Sequence, residues 1–340
     1  MGGDHPAHLL HLLTGVRVPA TTATAPGKII LFGEHAVVYG QPALAVPVPA
    51  VRARTVVSPA PDLPAGEIRI TAPAVALENA PLESLPPEHP LAKAVALTLE
   101  AIGVPHPPAL RLRLSSTIPV AAGLGSGAAV TVALARALSA FLGRPLGNDT
   151  VNAIAYEVEK IHHGTPSGID NTVVTYNLPV YFVRGQPLRT FRVRCPFTVV
   201  IADSGIPAPT AQAVSDVRRA AQAEPERFQA LFAAVGRVVE AAYRAITTGT
   251  PEALGPLMDE NHALLQQMGV SCPTLDRLVT AARQAGALGA KLSGGGRGGN
   301  LIALVPPDAP EAAEAIARVL EAAGAVRTIV ATIAPAHRNP

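Results

Sequence analysis

Only two cysteines, Cys195 and Cys272, occur in 340 residues, with no CxxC and no histidine at ligand spacing beside either. That scarcity argues against a disulfide framework and suggests no zinc site, so both are expected as buried free thiols. No apolar run approaches the roughly 18 uninterrupted residues that a membrane span needs. The opening MGGDHPAHLLHLLTG lacks the basic start and long apolar stretch of a secretory signal, and Pro6 stands where a myristoylation motif wants Ser or Thr. A cytoplasmic protein is expected. The net charge is +2 and no Lys/Arg cluster is long enough for a nucleic-acid or polyphosphate surface. Small molecules, with no nucleic acid and no membrane, are therefore the expected partners; the oligomeric state is left open, a homodimer included. GxxxxGK[ST] is absent too, which excludes a P-loop enzyme. Lysine itself is scarce: among 27 basic residues only Lys28, Lys93, Lys160 and Lys291 are lysine. Three of these, Lys28, Lys160 and Lys291, fall in the motifs below, where a compact point charge differs from arginine's planar fork.

What is present is a long chain with 49% hydrophobic residues, enough for one large or two moderate domains around a substantial core. Residues 1–18 read as a loosely held tail with His5, His8 and His11 in solvent. KIILF (28–32), ALAVPV (43–48), VRARTVV (51–57), EIRIT (67–71) and ALRLRLSS (109–116) read as strands, and PLAKAVALTLEAIG (90–103) as a helix. The Pro- and Gly-rich remainder of 57–90 reads as a loop or insertion. Further on, TVVTYN, PVYFV, RTFRVR and FTVVIADSG (197–205) read as strands, and helices fill 209–222, 225–247, 252–268, 273–286 and 311–324 before a last strand, VRTIVATI (326–333). The balance shifts from strands to helices near residue 195. The expected class is α+β, with domains over 1–194 and 195–340.

Four stretches carry chemistry. In EKIHHGTPSGIDN (159–171), a helix with Val151, Ile154, Ala155, Val158 and Ile161 or His162 on one face is broken by Gly164, Pro166 and Gly168. Glu159 should leave the end of that helix and Asp170 the far side of the loop, so two carboxylates on different rigid elements can point at one place. GLGSGAA (123–129) is a Gly-rich turn feeding a helix; the unpaired N–H groups and dipole of a helix start bind phosphate, and glycines let the backbone approach it. SGGGRGGN (293–300) contains GxGxxG, yet a strand rather than a helix follows and no acid lies about 20 residues on, which argues against a dinucleotide fold. The turn still makes a nest for an anion. In PGKIILFGEHAVVYG (26–40), Lys28 opens an apolar strand and must reach a polar face or a carboxylate. Glu34 and His35 follow a glycine and read as exposed loop residues.

The ordered set PGKIILFGEHAVVYG, PVAAGLGSGAA, EKIHHGTPSGIDN and KLSGGGRGGN resembles the GHMP small-molecule kinases over about residues 20–335, and its first and third motifs are most similar to the branch acting on mevalonate. The resemblance implies a ribosomal-protein-S5-like N-terminal domain and a ferredoxin-like C-terminal domain, with ATP and mevalonate between them. It implies Asp170 as the catalytic carboxylate and Lys28 as its cationic partner. Glu159, with Ser126, would bind Mg²⁺. Gly123, Leu124, Gly125, Ser126, Gly127 and Ala128 would hold phosphates, with Gly294, Gly295 and Gly296 closing the site. Glu34, His35 and Thr210 match positions near the substrate. Siblings acting on phosphomevalonate, homoserine or a sugar remain open, as does a ligand-binding regulator, though intact Lys28, Glu159 and Asp170 argue against the last. The chain departs from the family at Gly127, where a second serine is usual, and at Ser293, Arg297 and Asn300; Arg297 is expected to add a cation near the nucleotide.

Overall fold

The computed structural model describes residues 19–119, 122–163 and 166–335. The N-terminal tail with its three histidines lies outside the described residues, as do the side chain of His162 and the helix-breaking Gly164.

The first sheet is organised by two long strands. β1 (Thr21–Phe32) and β2 (Ala43–Pro59) pair antiparallel, with the register shifting between Pro26 and Gly27. The shift lets β2 pass through Pro47 and Pro49, so ALAVPV and VRARTVV are one bent strand rather than two. The first half of β2 is buried on both faces, whereas from Val51 buried apolar residues alternate with exposed arginines, as period two demands. Outward from β2 lie β5 (Leu110–Ser116), β3 (Ile68–Ala72), parallel to β5, and β4 (Leu77–Pro81); on the other side are β6 (Val180–Phe182) and β7 (Arg189–Thr190). β4 is a strand inside the stretch expected to be loop, and RTFRVR keeps only the two residues of β7 in the ladder.

Helices α1 (Pro90–Ala101), α2 (Ser126–Phe141), α3 (Asn148–His163) and α4 (Ile169–Tyr176) accompany this sheet, with α2 packed on both β1 and β2. The α2 positions that touch the strands are mostly Ala and Val, with Ala128, Ala129, Val132 and Ala133 fully buried. α4 corrects the expectation of a strand over TVVTYN. Its β-branched residues favour extended backbone, but Gly168 at φ 86° starts a helix and Asn177 at φ 51° ends it. In between, Val173, Val174 and Thr175 are buried, with α2 and α3 packed against the helix.

The second sheet is antiparallel, in the order β11 (Arg327–Ile333), β8 (Phe197–Asp203), β10 (Asn300–Leu304), β9 (Gly289–Ser293). α5 (Thr210–Ala223), α6 (Pro225–Thr248), α7 (Leu254–Gln267), α8 (Pro273–Gln284) and α9 (Ala312–Ala322) complete the chain close to where the sequence placed helices. Alternation along these strands builds two cores. Val200, Ala202, Leu301 and Ala303 pack under α8 and α9, while Val199, Ile201, Ile302 and Leu304 join the core shared with β1 and β2. The second sheet is thereby held against the first, with the Gly-rich β9–β10 turn at the junction.

Candidate active site

The first group of residues converges on Lys28. It sits in the apolar run of β1 and is only 5% exposed, so its ammonium needs a counter-charge. Asp170 supplies it, with Nζ to Oδ1 at 2.9 Å. Asp170 lies past the break that follows α3, as expected, and stands in the first turn of α4, where the helix dipole favours an anion. Glu159, in the last turn of α3, is buried and belongs to the same cluster. Burial first, and the Asp170 charge second, push its carboxyl up to about 7, with Lys28 pulling the other way. Of the two alternatives for the next buried position on α3, Ile161 is exposed and the side chain of His162 lies outside the described residues; the face carrying Val151, Ala155 and Val158 continues through Glu159.

The Gly-rich turn lies beside the lysine. Lys28 donates its backbone N–H to Leu124 O at 3.0 Å, and its side chain crosses Gly125, where an added Cβ would lie 2.8 Å from Lys28 Cγ. Gly123 and Gly125 have φ of 72° and 71°. Gly125 is the N-cap of α2, with no side-chain cap, so the first-turn N–H groups from Ser126 onward are left for an anion. Gly127 by contrast is exposed and inside the helix. Opposite results are expected at these neighbours. Gly125→Ala combines a left-handed backbone with a clash on Lys28, costs about 1–3 kcal/mol and raises the KM for ATP. Gly127→Ala or Gly127→Ser leaves the KM alone and stabilises by up to about 1 kcal/mol through helix propensity. Thermal melts and ATP titrations of the variants check both; a destabilised Gly127→Ala would contradict the helical assignment.

The second group comes from the β9–β10 turn. Gly294 and Gly296 have φ of 91° and 76°, and a Cβ on Gly295 would lie 2.5 Å from Thr210 Oγ1 at the start of α5. His35 Nε2 lies 2.9 Å from Gly295 O; since a carbonyl only accepts, Nε2 carries the hydrogen and Nδ1 of the neutral ring is an acceptor. Burial lowers the His35 pKa, which keeps the ring neutral. Ser293 Oγ donates to Ile30 O at 2.7 Å, and Asn300 Nδ2 donates to Ala122 O beside the phosphate turn. The departure at 293 thus ties the hairpin to the first sheet and the departure at 300 ties it to the Gly-rich turn before α2. The Arg297 guanidinium pairs with Asp216 on α5 and donates to Gly269 O.

Glu34 and His35 are buried, at 2% and 5% exposure, so the exposed-loop alternative fails. Glu34 Oε1 pairs with Lys291, which is fully buried on β9. Lys291 was not marked as a site residue by the sequence, although its place among four lysines and inside a motif was the signal. Among the described residues, Glu34 Oε2 and His35 Nδ1 are buried without a hydrogen-bond partner. No group of three His, Cys, Asp or Glu that could hold a metal occurs among the described residues. A Glu159 whose ionised form is disfavoured by burial and by Asp170 is compatible with Mg²⁺, a cation that would relieve that repulsion and that usually keeps phosphate and water among its ligands.

The chain matches the family profiles "GHMP kinases N terminal domain" over residues 90–177 and "GHMP kinases C terminal" over 239–325. It is 36% identical over 313 residues to a mevalonate kinase of Thermococcus gammatolerans, covering 86% of this chain and 92% of that one. A mevalonate kinase of Pyrococcus furiosus is 35% identical over 308 residues, with the same coverage. The crystal structure of L. major mevalonate kinase in complex with R-mevalonate superposes with a TM-score of 0.81 at 31% identity, covering 93% of this chain and 96% of that one. The two-sheet α+β architecture is therefore the two-domain GHMP kinase fold, and the chain belongs to the GHMP kinase family, in its mevalonate kinase branch.

Proposed function

We propose that the chain transfers the γ-phosphate of ATP to the primary alcohol of mevalonate, giving 5-phosphomevalonate. The observation that carries this reading is the Lys28–Asp170 ion pair beside an uncapped, glycine-started helix: a proton acceptor and a cation next to a phosphate cradle. Phosphoryl transfer needs positioning and charge neutralisation more than covalent help. Asp170 faces the acceptor hydroxyl and takes its proton as the oxygen attacks the γ-phosphorus and the bond to the β–γ bridging oxygen breaks, releasing ADP, while Lys28 stabilises the developing alkoxide. The backbone of Gly123 to Ala128, including Leu124, holds the phosphates, and Gly294, Gly295 and Gly296 close over them. Glu34, His35 and Thr210 form the acceptor side. Glu159, with Ser126, would hold Mg²⁺, which when bound neutralises phosphate charge.

The same reading divides the chain near residue 195, between β7, ending at Thr190, and β8, starting at Phe197. It places the enzyme in the cytoplasm, as monomer or homodimer; no helix among the described residues is long and apolar enough to cross a membrane. A coupled ADP-release assay against mevalonate, phosphomevalonate, homoserine and galactose tests the substrate. Mevalonate is expected to give kcat/KM at least about 100-fold above the others, roughly 2.7 kcal/mol of transition-state discrimination. Equal or better turnover of phosphomevalonate would move the assignment to the sibling kinase.

A further inference from the structure

Lys291 is the most deeply buried cation among the described residues and lies outside the reacting pair. It sits on β9, opposite Ile302 of β10, with no exposed surface. Its Nζ donates to Glu34 Oε1, across 257 residues of sequence, and to Leu292 O at 2.5 Å. The remaining surroundings of Nζ offer little compensation. Phe32 lies with its ring centroid 5.9 Å away, and His262 is held behind β9 by Asp276 at 3.1 Å and by the Leu292 N–H. A buried ion pair is seldom more stable than an apolar pair of the same volume. Its presence between the two sheets therefore argues for placement rather than stability.

What it places is strained. His35 has φ 60° and ψ −49°, an unfavourable backbone for a residue with a Cβ. The segment is clamped on both sides by one hairpin: Glu34 by Lys291, and the His35 ring by Gly295 O. Each clamped side chain keeps one buried acceptor without a partner among the described residues, Glu34 Oε2 and His35 Nδ1. A free Glu34 carboxylate could rotate and spend both oxygens elsewhere. With Oε1 fixed on Lys291, Oε2 is held out for a donor such as a substrate hydroxyl.

We propose that Lys291 is a positioning residue for the acceptor side of the site, acting from the second sheet through Glu34 on the Glu34–His35 turn. The proposal rests on the reading of Glu34 and His35 as acceptor-side residues. Steady-state kinetics of Lys291→Met, Glu34→Gln and the double variant test it, with thermal melts alongside. Lys291→Met and Glu34→Gln are each expected to raise the KM for mevalonate by about tenfold or more while the KM for ATP stays within about twofold. The double variant is expected to be no worse than the worse single, because the two act as a unit. Where Lys291→Met fails to fold, Lys291→Gln with Glu34→Gln, which keeps a neutral hydrogen bond between the sheets, carries the same expectation. If Glu34→Gln raises the mevalonate KM and Lys291→Met does not, the role of Lys291 is overturned while the acceptor-side reading stands. If neither variant moves it, the acceptor-side reading falls and takes this proposal with it. Parallel rises in both KM values, or additive effects, reduce Lys291 to a structural contact between the sheets and overturn the proposal.

Discussion

Asp170→Asn is expected to lower kcat by about 10³-fold or more, roughly 4 kcal/mol of barrier, with the KM for ATP within about threefold of wild type. The substitution keeps size and shape but removes the proton acceptor and half of the ion pair. Lys28, 5% exposed, is left with a neutral amide where it had a charge 2.9 Å away. Because the Asp170 side chain is itself 29% exposed, water screens part of that loss, and the stability cost is about 1–2 kcal/mol rather than the larger figure for a fully buried pair. Lys28→Met should lose comparable activity, and the double variant no more than the worse single, since acceptor and cation serve one step. Single-turnover kinetics with saturating ATP separate this from a folding defect. A collapse of ATP affinity with residual kcat intact would place Asp170 in the nucleotide site instead.

The parts of this site visible in the sequence were those whose chemistry is local. A glycine turn feeding a helix offers unpaired N–H groups to an anion, and a lone lysine opening an apolar strand must reach a polar face or a carboxylate. The long periodic helices α6 and α8 were likewise legible within a few residues. The misses share a physical cause, in that tertiary surroundings overrode a local preference. Val173, Val174 and Thr175 have strand-forming side chains, but they follow a left-handed Gly168 and are buried in a helix packed on α2 and α3. Ile161 has an apolar side chain and yet faces solvent, while Glu159, two positions earlier, takes the buried place. A charged residue holding a core position against its own solvation is a mark of function that periodicity alone scores as an error. Arg297 was marked as a departure from the family motif, but its partner Asp216 stands 81 residues away, and nothing in the turn itself specifies it. The Glu34–Lys291 pair spans 257 residues, and nothing in either local stretch specifies the other.

Glu159→Gln is expected to stabilise the metal-free protein at pH 8 while crippling its use of Mg²⁺. The carboxyl has its pKa raised from 4.5 to about 7 in the folded chain, by burial and by Asp170. Raised pKa values in an acid mean that the folded state binds the proton more tightly than the unfolded state does. The stability this contributes is fully present below about 4.5 and is lost as pH rises through about 7, above which the folded chain carries the whole cost of a buried charge. A shift of this size corresponds to about 3 kcal/mol at most. Glutamine, never charged, avoids the cost, so in EDTA the variant should exceed wild type by about 2 kcal/mol at pH 8 and by about 1 kcal/mol or less at pH 5. Adding Mg²⁺ with a non-hydrolysable ATP analogue should close or reverse the gap at pH 8, because binding to the folded state stabilises wild type by mass action and the variant less. In turnover the variant should need about tenfold more Mg²⁺ for half-maximal rate. Ser126→Ala should show the same direction with a smaller effect, having no charge to lose and no second hydroxyl at Gly127 to take over. Denaturant melts at the two pH values, with and without the cation, decide it. A separation of the wild-type and Glu159→Gln curves that stays constant across pH would mean that the carboxyl is not raised by its surroundings, and equal stabilisation of both by Mg²⁺ would mean that the metal sits elsewhere.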